Sequence, residues 1–302
     1  MAKIVGVMAS GRIVAGLVEG NHVAGPVSVY PEPGSGSEGL YGVPADEIAE
    51  LIRRQIDLVL QGAKVEAVGI GFAGIIRDGR IEESPNLQQA KGFHLQSALG
   101  LSFERVLVLN DADAMAAGIA ATRGKLETLV RAWTLGDGIG YGRYPQAEGV
   151  WEGGHIVVTL DPKEKFCGCG GVGHLEGIMG HAAMRRRFLD MEPDEVFAEA
   201  KAGNARCAAF VKLWHRALAA GTATSIHLDG PGKFYLTGPN ARFVDVERLN
   251  IDLQDMVRMS PLQGSLFEIV PTSDEIAIVG AAVSADRARF SLVRRHRLYA
   301  RV

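Results

Sequence analysis

Eight residues near the middle of the chain, Cys167-Gly168-Cys169-Gly170-Gly171-Val172-Gly173-His174, carry the strongest chemical signal in the sequence. Two thiolates and an imidazole on one Gly-rich turn can converge on a single cation, because glycine lets the backbone fold tightly around it. Zinc prefers four such ligands, and a further imidazole, His155, stands upstream on a Gly153-Gly154-His155 turn. It reaches the knot if the segment 156–160 folds back on it. Four protein ligands leave no open position, so the chemistry predicted here is a closed, structural Zn2+ site. The competing reading is a tight turn with free thiols, since cysteines this close are poor disulfide partners.

A second signal is Val106-Leu107-Val108-Leu109-Asn110-Asp111-Ala112-Asp113. A buried strand gives way there to a helix, which sets the Asp111 carboxylate at a cleft beside the helix dipole. Asn and Asp are equally natural as plain N-caps, and taken alone the two readings weigh the same. Asn86 in Ser84-Pro85-Asn86, with Glu152, His155 and Glu176, tilts the set towards a ligand site. Amides, carboxylates and an imidazole are the groups that exchange hydrogen bonds with a polyol. A third, weaker signal is the Gly-rich run Thr134-Leu135-Gly136-Asp137-Gly138-Ile139-Gly140, whose backbone amides either approach a phosphate or simply close a β-turn.

The elements that must position these groups read as alternating α and β. Lys3–Met8 and Ile13–Val18, separated by Ala9-Ser10-Gly11-Arg12, predict an antiparallel hairpin, with a third apolar segment over His22–Tyr30. Residues 31–41 are rich in Gly, Ser and Pro and read as a loop. Helical spacing runs from Pro44 to Leu60. Val65–Gly71 and Arg105–Leu109 read as buried strands whose carboxyl ends open into polar or Gly-rich loops, where α/β proteins place ligands. A small-residue helix follows Asn110, β-like sequence covers Leu129–Leu160, and helices dominate from Leu175 to His227. Lys233–Thr237 is a strand ending at Gly238, and Ile276–Arg289 is a closing small-residue helix. The composition shifts near residue 110, so two lobes are expected: 1–109 with 289–302, and 110–288.

With 302 residues, a net charge of −3 and a pI near 6.3, the chain has no overall electrostatic bias towards nucleic acid or a membrane surface. The basic runs Arg185-Arg186-Arg187 and Arg294 to Arg301 read first as a solvated helix face and a polar tail. The opening apolar run is too short for a leader or a membrane span, which predicts the cytoplasm, and Cys207 reads as a small buried residue.

These pieces, in this order, resemble the ROK family (repressors, open reading frames and kinases) of the actin-like ATPase superfamily. The resemblance rests on Glu152-Gly153-Gly154-His155, on the Cys-x-Cys knot followed by Leu175-Glu176, on Ser84-Pro85-Asn86-Leu87, on Asn110-Asp111-Ala112 and on Gly280-Ala281-Ala282. It implies an actin-like, two-lobed α/β fold with the C-terminal helix returning to the first lobe, and a homodimer as the assembly. It implies Asp111 as catalytic base, Asn86, Asn110, Glu152, His155 and Glu176 around a sugar, and zinc on His155, Cys167, Cys169 and His174. ATP with Mg2+ would lie against Ser10, Gly11 and Arg12 on one side and Gly136, Asp137, Gly138 and Gly238 on the other.

Three positions depart from the family pattern. His174 replaces a third cysteine and remains an ordinary zinc ligand. Met8 stands where family kinases carry an aspartate in the first phosphate loop, and Asp137 where the second loop usually has threonine. The leading expectation is phosphorylation of a hexose or N-acetylhexosamine, glucokinase-like. The alternative is a sugar-binding pseudokinase that senses without catalysis. A repressor is the weakest reading, because family repressors carry an N-terminal helix-turn-helix and the first strand here starts at Lys3.

Overall fold

The computed structural model describes residues 3–36, 38–103, 105–146 and 152–299, with side chains as far as 288. The chain forms two compact units: Met1–Leu129 with Gly142–Val150 and Ser273–Val302, and Val130–Tyr141 with Trp151–Thr272.

The first unit is built on a twisted sheet. β1 (Lys3–Ala9) and β2 (Ile13–Glu19) form the predicted antiparallel hairpin, and β3 (His22–Val23) and β4 (Ser28–Tyr30) pair with β2. The third apolar segment is thus two short strands, broken at Ala24-Gly25-Pro26, where proline and glycine cannot extend a ladder. α1 (Ala45–Leu60) starts one residue after Pro44 and buries Ile48, Leu51, Ile52, Ile56 and Val59, the stripe its spacing predicts. β5 (Ala67–Phe72) runs parallel to β1. A small hairpin follows, β6 (Ile75–Arg77) and β7 (Arg80–Glu83), then the short α2 (Leu95–Ala98). β8 (Arg105–Asn110) is parallel to β5 and leads directly into α3 (Asp111–Thr122). The sheet order is β3-β2-β1-β5-β8.

One face of this sheet is covered by α1, the other by α3 and the C-terminal helix, Asp274–Tyr299. That second face demands small residues. A Cβ on Gly69 of β5 would lie 1.9 Å from the backbone oxygen of Ala281, and one on Gly280 would lie 1.8 Å from that of Ala114 in α3. The run Gly280-Ala281-Ala282 therefore lets three backbones approach closely, which no larger residue permits. This packing also moves the division of the chain. It falls after Leu129 rather than at 109/110, because α3 is held between the β8 edge and the C-terminal helix, and it returns at Ser273 rather than at 289.

The second unit has the sheet β10-β9-β11-β12, from β9 (Val130–Leu135), β10 (Ile139–Tyr144), β11 (Lys233–Thr237) and β12 (Leu266–Ile269). β11 lies parallel to both β9 and β12. Five helices accompany it: α4 (Leu175–Met179), α5 (His181–Arg187), α6 (Pro193–Lys201), α7 (Ala205–Asp229) and α8 (Val246–Met256). Trp133, Trp214, Phe234 and Leu218 anchor its core, and Cys207 is buried among them as predicted. The β-like reading of 129–160 holds only as far as Tyr144. Residues 147–151 lie outside those described, Gly153–His155 is a single 3-10 turn, and 156–160 returns through one bridge, Val157 with His174.

Candidate active site and metal centre

In the first unit, strand register collects the predicted groups on one edge. Ala9 pairs with Phe72 and Phe72 with Asn110, so the carboxyl ends of β1, β5 and β8 finish level. Ser10-Gly11-Arg12, Ala73-Gly74 and Asn110-Asp111 all leave the sheet there, the usual ligand edge of a parallel α/β sheet. Asn110 caps α3: its Oδ1 accepts the N–H groups of Ala112 at 2.8 Å and Asp113 at 3.3 Å, while its Nδ2 donates to the Gly74 oxygen at 2.9 Å. The capping role is therefore real, and it fixes the start of the helix whose first residue is the half-buried Asp111. Ser84 donates from Oγ to the Ala73 oxygen at 2.6 Å, which brings Ser84-Pro85-Asn86 back beside the same edge with Asn86 exposed.

The departures in the first loop have visible consequences. Met8 is buried, and its sulfur lies over Gly71, where an added Cβ would approach it to 2.4 Å. Arg12 gives both oxygens of Asp274 a hydrogen bond from Nη2, at 2.7 and 2.9 Å. An open groove of about 600 Å³ adjoins this turn, lined by Ser10, Gly11, Arg12, Glu38 and Tyr41 among others.

In the second unit, Thr134 of β9 pairs with Thr237 of β11, so Gly136 and Gly238 follow strands that end together. Gly238 has φ +94°, and a Cβ there would lie 2.4 Å from the Leu135 oxygen. Both facts require glycine. The turn Gly136-Asp137-Gly138 is closed by the Gly136 N–H bond to the Gly138 oxygen at 3.0 Å, and Asp137 is exposed at its tip.

The four predicted metal ligands converge. Nδ1 of His155 and Nδ1 of His174 are 3.4 Å apart, Cys167 Sγ lies 3.5 Å from His155 Nδ1 and 3.4 Å from Cys169 Sγ, and Cys169 Sγ lies 3.2 Å from His174 Nδ1. All four donor atoms fall within 4.8 Å of one another. Tetrahedral zinc, with bonds of about 2.0–2.3 Å, separates its ligand atoms by roughly 3.3–3.8 Å. The donor set suits that ion, and four of the six donor separations, 3.2–3.5 Å, lie close to that range. Local sequence makes the convergence possible: a Cβ on Gly171 would lie 2.0 Å from the His174 ring, and Val158 N–H bonds the Gly173 oxygen at 2.8 Å to fold the chain back.

Burial pushes the Cys167 thiol up to about 12, with Cys169 and Glu176 nearby among the contributors. A cation on the knot would oppose this, because it would stabilise the thiolate. Burial also lowers the His174 pKa, with His155 adding to that and Glu176 opposing it, a shift in the direction of the neutral ring. Burial raises Glu152, opposed by His155 and assisted by Glu176. With its Nδ1 turned to the knot, His155 presents Nε2 to Glu152 Oε2 at 3.9 Å.

Part of the basic run behind the knot is not a solvated face. Arg187 grips Glu164 through two hydrogen bonds and stacks 4.2 Å over Phe166, while Arg186 Nε donates to the Phe166 oxygen at 3.0 Å. Glu164 in turn accepts the Gly173 N–H through its backbone oxygen at 2.6 Å. These arginines brace the Cys/Gly-rich loop, a role invisible in a run of like charges. The side chains of Arg294 to Arg301 lie outside the described residues.

The ROK family model matches residues 41–286. The chain belongs to the ROK family. The matched ROK segment begins after the altered first loop. A glucokinase of Pyrobaculum calidifontis is 28 % identical over 260 residues, 80 % of this chain and 83 % of that protein. The ROK hexokinase of Thermus thermophilus superposes with a TM-score of 0.75 at 24 % identity, over 96 % of this chain and 99 % of that one. A ROK family glucokinase from Streptomyces griseus, solved with glucose and AMPPNP, gives 0.69 at 22 % identity, over 95 % and 100 % of the two chains. The architecture is the actin-like ATPase fold expected from the sequence.

Proposed function

We propose that this ROK protein is a sugar kinase that transfers a phosphoryl group from ATP to a hydroxyl of a hexose or N-acetylhexosamine. The observation that carries the reading is Asp111 in the first turn of α3, on the sheet edge shared by Ser10–Arg12 and Gly74. A carboxylate in that position accepts the proton of the attacking hydroxyl. Phosphoryl transfer otherwise depends on holding the reactants in line and on stabilising phosphate charge. Asn86, Asn110, Glu152, His155 and Glu176 bind and orient the sugar through hydrogen bonds to its hydroxyls. The nucleotide is held by Ser10, Gly11, Arg12, Gly136, Asp137, Gly138 and Gly238. Mg2+ on the phosphates would neutralise their charge, with Asp137 as the carboxylate available to it in the second loop. His155, Cys167, Cys169 and His174 would hold zinc as a closed structural site, which would keep Glu152, His155 and Glu176 in a fixed relation. The glucokinase and hexokinase names of the relatives support this reading.

A second reading, a sugar-binding pseudokinase, rests on Met8. Its buried thioether is a poor ligand for a hard cation. An ADP-release assay across glucose, mannose and their N-acetylated amines decides between the two. The kinase reading expects turnover with at least one sugar and a loss of 10²-fold or more in Asp111→Asn. Sugar binding by calorimetry without turnover on any of them selects the pseudokinase.

A further inference from the structure

One carboxylate in the second unit makes contacts that a purely sugar-holding role does not use. Glu176 lies in the first turn of α4, half-buried. Its Oε2 accepts the backbone N–H of Ile139 at 2.9 Å, and a Cβ on Gly138 would lie only 2.6 Å from the same oxygen. Its Oε1 is 3.6 Å from Cys167 Sγ. Glu176 thus reaches from the metal-ligating knot to the first residue of β10, directly beneath the Gly136-Asp137-Gly138 turn.

The rest of that turn is gripped by neighbours of α4. The Gly136 oxygen accepts from His181 N–H at 3.0 Å and from Asn240 Nδ2 at 3.0 Å, and the Asp137 oxygen accepts from Ala182 N–H at 3.4 Å. Asn240 is buried, and its Oδ1 meets His181 Nδ1 at 3.3 Å. The carbonyls on the entry side are therefore tied to the start of α5 and to Asn240, while the amide on the exit side is tied to Glu176. A turn fixed by its oxygens on one side and by the Ile139 N–H on the other has little freedom to rotate its remaining amides, those of Asp137 and Gly138. The bond from Glu176 has a carboxylate as acceptor, the stronger class of hydrogen bond.

We propose that Glu176 is a positioning residue for the Gly136–Gly138 turn, and through it for nucleotide binding, besides any bond it makes to the sugar. This rests on reading the turn as phosphate-facing. Two measurements on wild type, Glu176→Ala, Glu176→Asp and Glu176→Gln test it: hydrogen exchange of segment 136–141, and AMPPNP affinity by calorimetry without sugar. Removing the acceptor (Ala) or withdrawing it by one methylene (Asp) is expected to speed exchange at Ile139 and weaken AMPPNP about tenfold. Glu176→Gln keeps an acceptor oxygen at the same reach and is expected to restore most of both. The Asp variant keeps the charge, so it still decides the matter if the Ala variant fails to fold. Unchanged protection in both the Ala and Asp variants overturns the proposal, as does faster exchange with AMPPNP affinity intact. A wild-type protein that binds sugar but no AMPPNP overturns the nucleotide role together with the kinase reading. In that case a protected Ile139 amide marks the failure as one of function and not of local structure.

Discussion

Arg12 and Asp274 face each other across 262 residues of sequence, one guanidinium nitrogen bonding both carboxylate oxygens. The pair ties the β1–β2 turn to the first turn of the C-terminal helix. Both side chains are well exposed, 52 % and 39 %, so water screens the attraction and it contributes at most about 1 kcal/mol to stability. On the proposed reading, with Arg12 on the phosphate side, an incoming phosphate would have to compete with Asp274 for it. Steady-state kinetics should therefore give a lower nucleotide KM for Asp274→Asn and a several-fold higher one for Arg12→Ala. Equal KM values in all three proteins would remove Arg12 from the phosphate side.

Zinc is expected at one equivalent per chain in protein purified without added metal, measured by elemental analysis. His174→Ala should lower that content sharply, because three remaining donors no longer close a tetrahedral site. Chelation should cost several kcal/mol of stability, since the free energy of binding is shared with folding of the 152–176 loop. A folded protein with no metal would leave four donors, clustered within 4.8 Å, without a purpose.

Much of this was legible in the residues. Residue type and spacing marked the knot, and the structure brings its four donors together because Gly153, Gly154 and Gly171 leave room for ring and backbone. The β1–β2 hairpin, α1, β5, β8, β11 and the closing helix follow from period and punctuation alone. What stayed hidden depends on distant partners. α8 and the four-residue β12 gain definition from α7 and the β11 edge. Arg187 looked solvated because nothing local announces Glu164 as its partner. Composition changes near residue 110, whereas the compact units divide after Leu129, where α3 is held by a helix more than 150 residues away.

His215 gives a pH dependence with a definite sign. It is buried in α7, its Nδ1–H donating to the Val211 oxygen at 2.8 Å and its Nε2 accepting the Asp245 N–H at 2.9 Å. Both nitrogens are committed to the neutral ring, and burial pulls its pKa below the ordinary value. Protons therefore bind the unfolded chain more readily. The contribution of His215 is complete above about pH 6.5, and as the pH falls below that it is lost at up to about 1.4 kcal/mol per unit until the folded pKa is reached. Denaturant unfolding at pH 7.5, 6.5 and 5.5 should show a shallower acid loss in His215→Gln than in wild type. Parallel curves would mean that another group titrates.

The altered phosphate loops give the sharpest test of mechanism. Restoring the family residue at position 8 should cost stability: Met8→Asp puts a carboxylate beside Gly71 and Ala114 in an apolar pocket, at a cost of several kcal/mol wherever no cation pairs it. Position 137 is different, because Asp137 is exposed and its substitution leaves the core untouched. If its carboxylate supplies the metal contact that Met8 cannot, Asp137→Thr removes the last carboxylate from the two loops. Turnover should then fall at least tenfold and the Mg2+ needed for half-maximal rate should rise, even though the change restores the usual family residue. If the chain is a pseudokinase, the carboxylate only repels the phosphates. The same variant would then bind ATP more tightly, most clearly without Mg2+, and neither protein would turn over. ATP affinity and turnover of the two proteins, each with and without Mg2+, separate these outcomes, and a loss of rate in Asp137→Thr that added Mg2+ partly recovers would place the metal contact on Asp137.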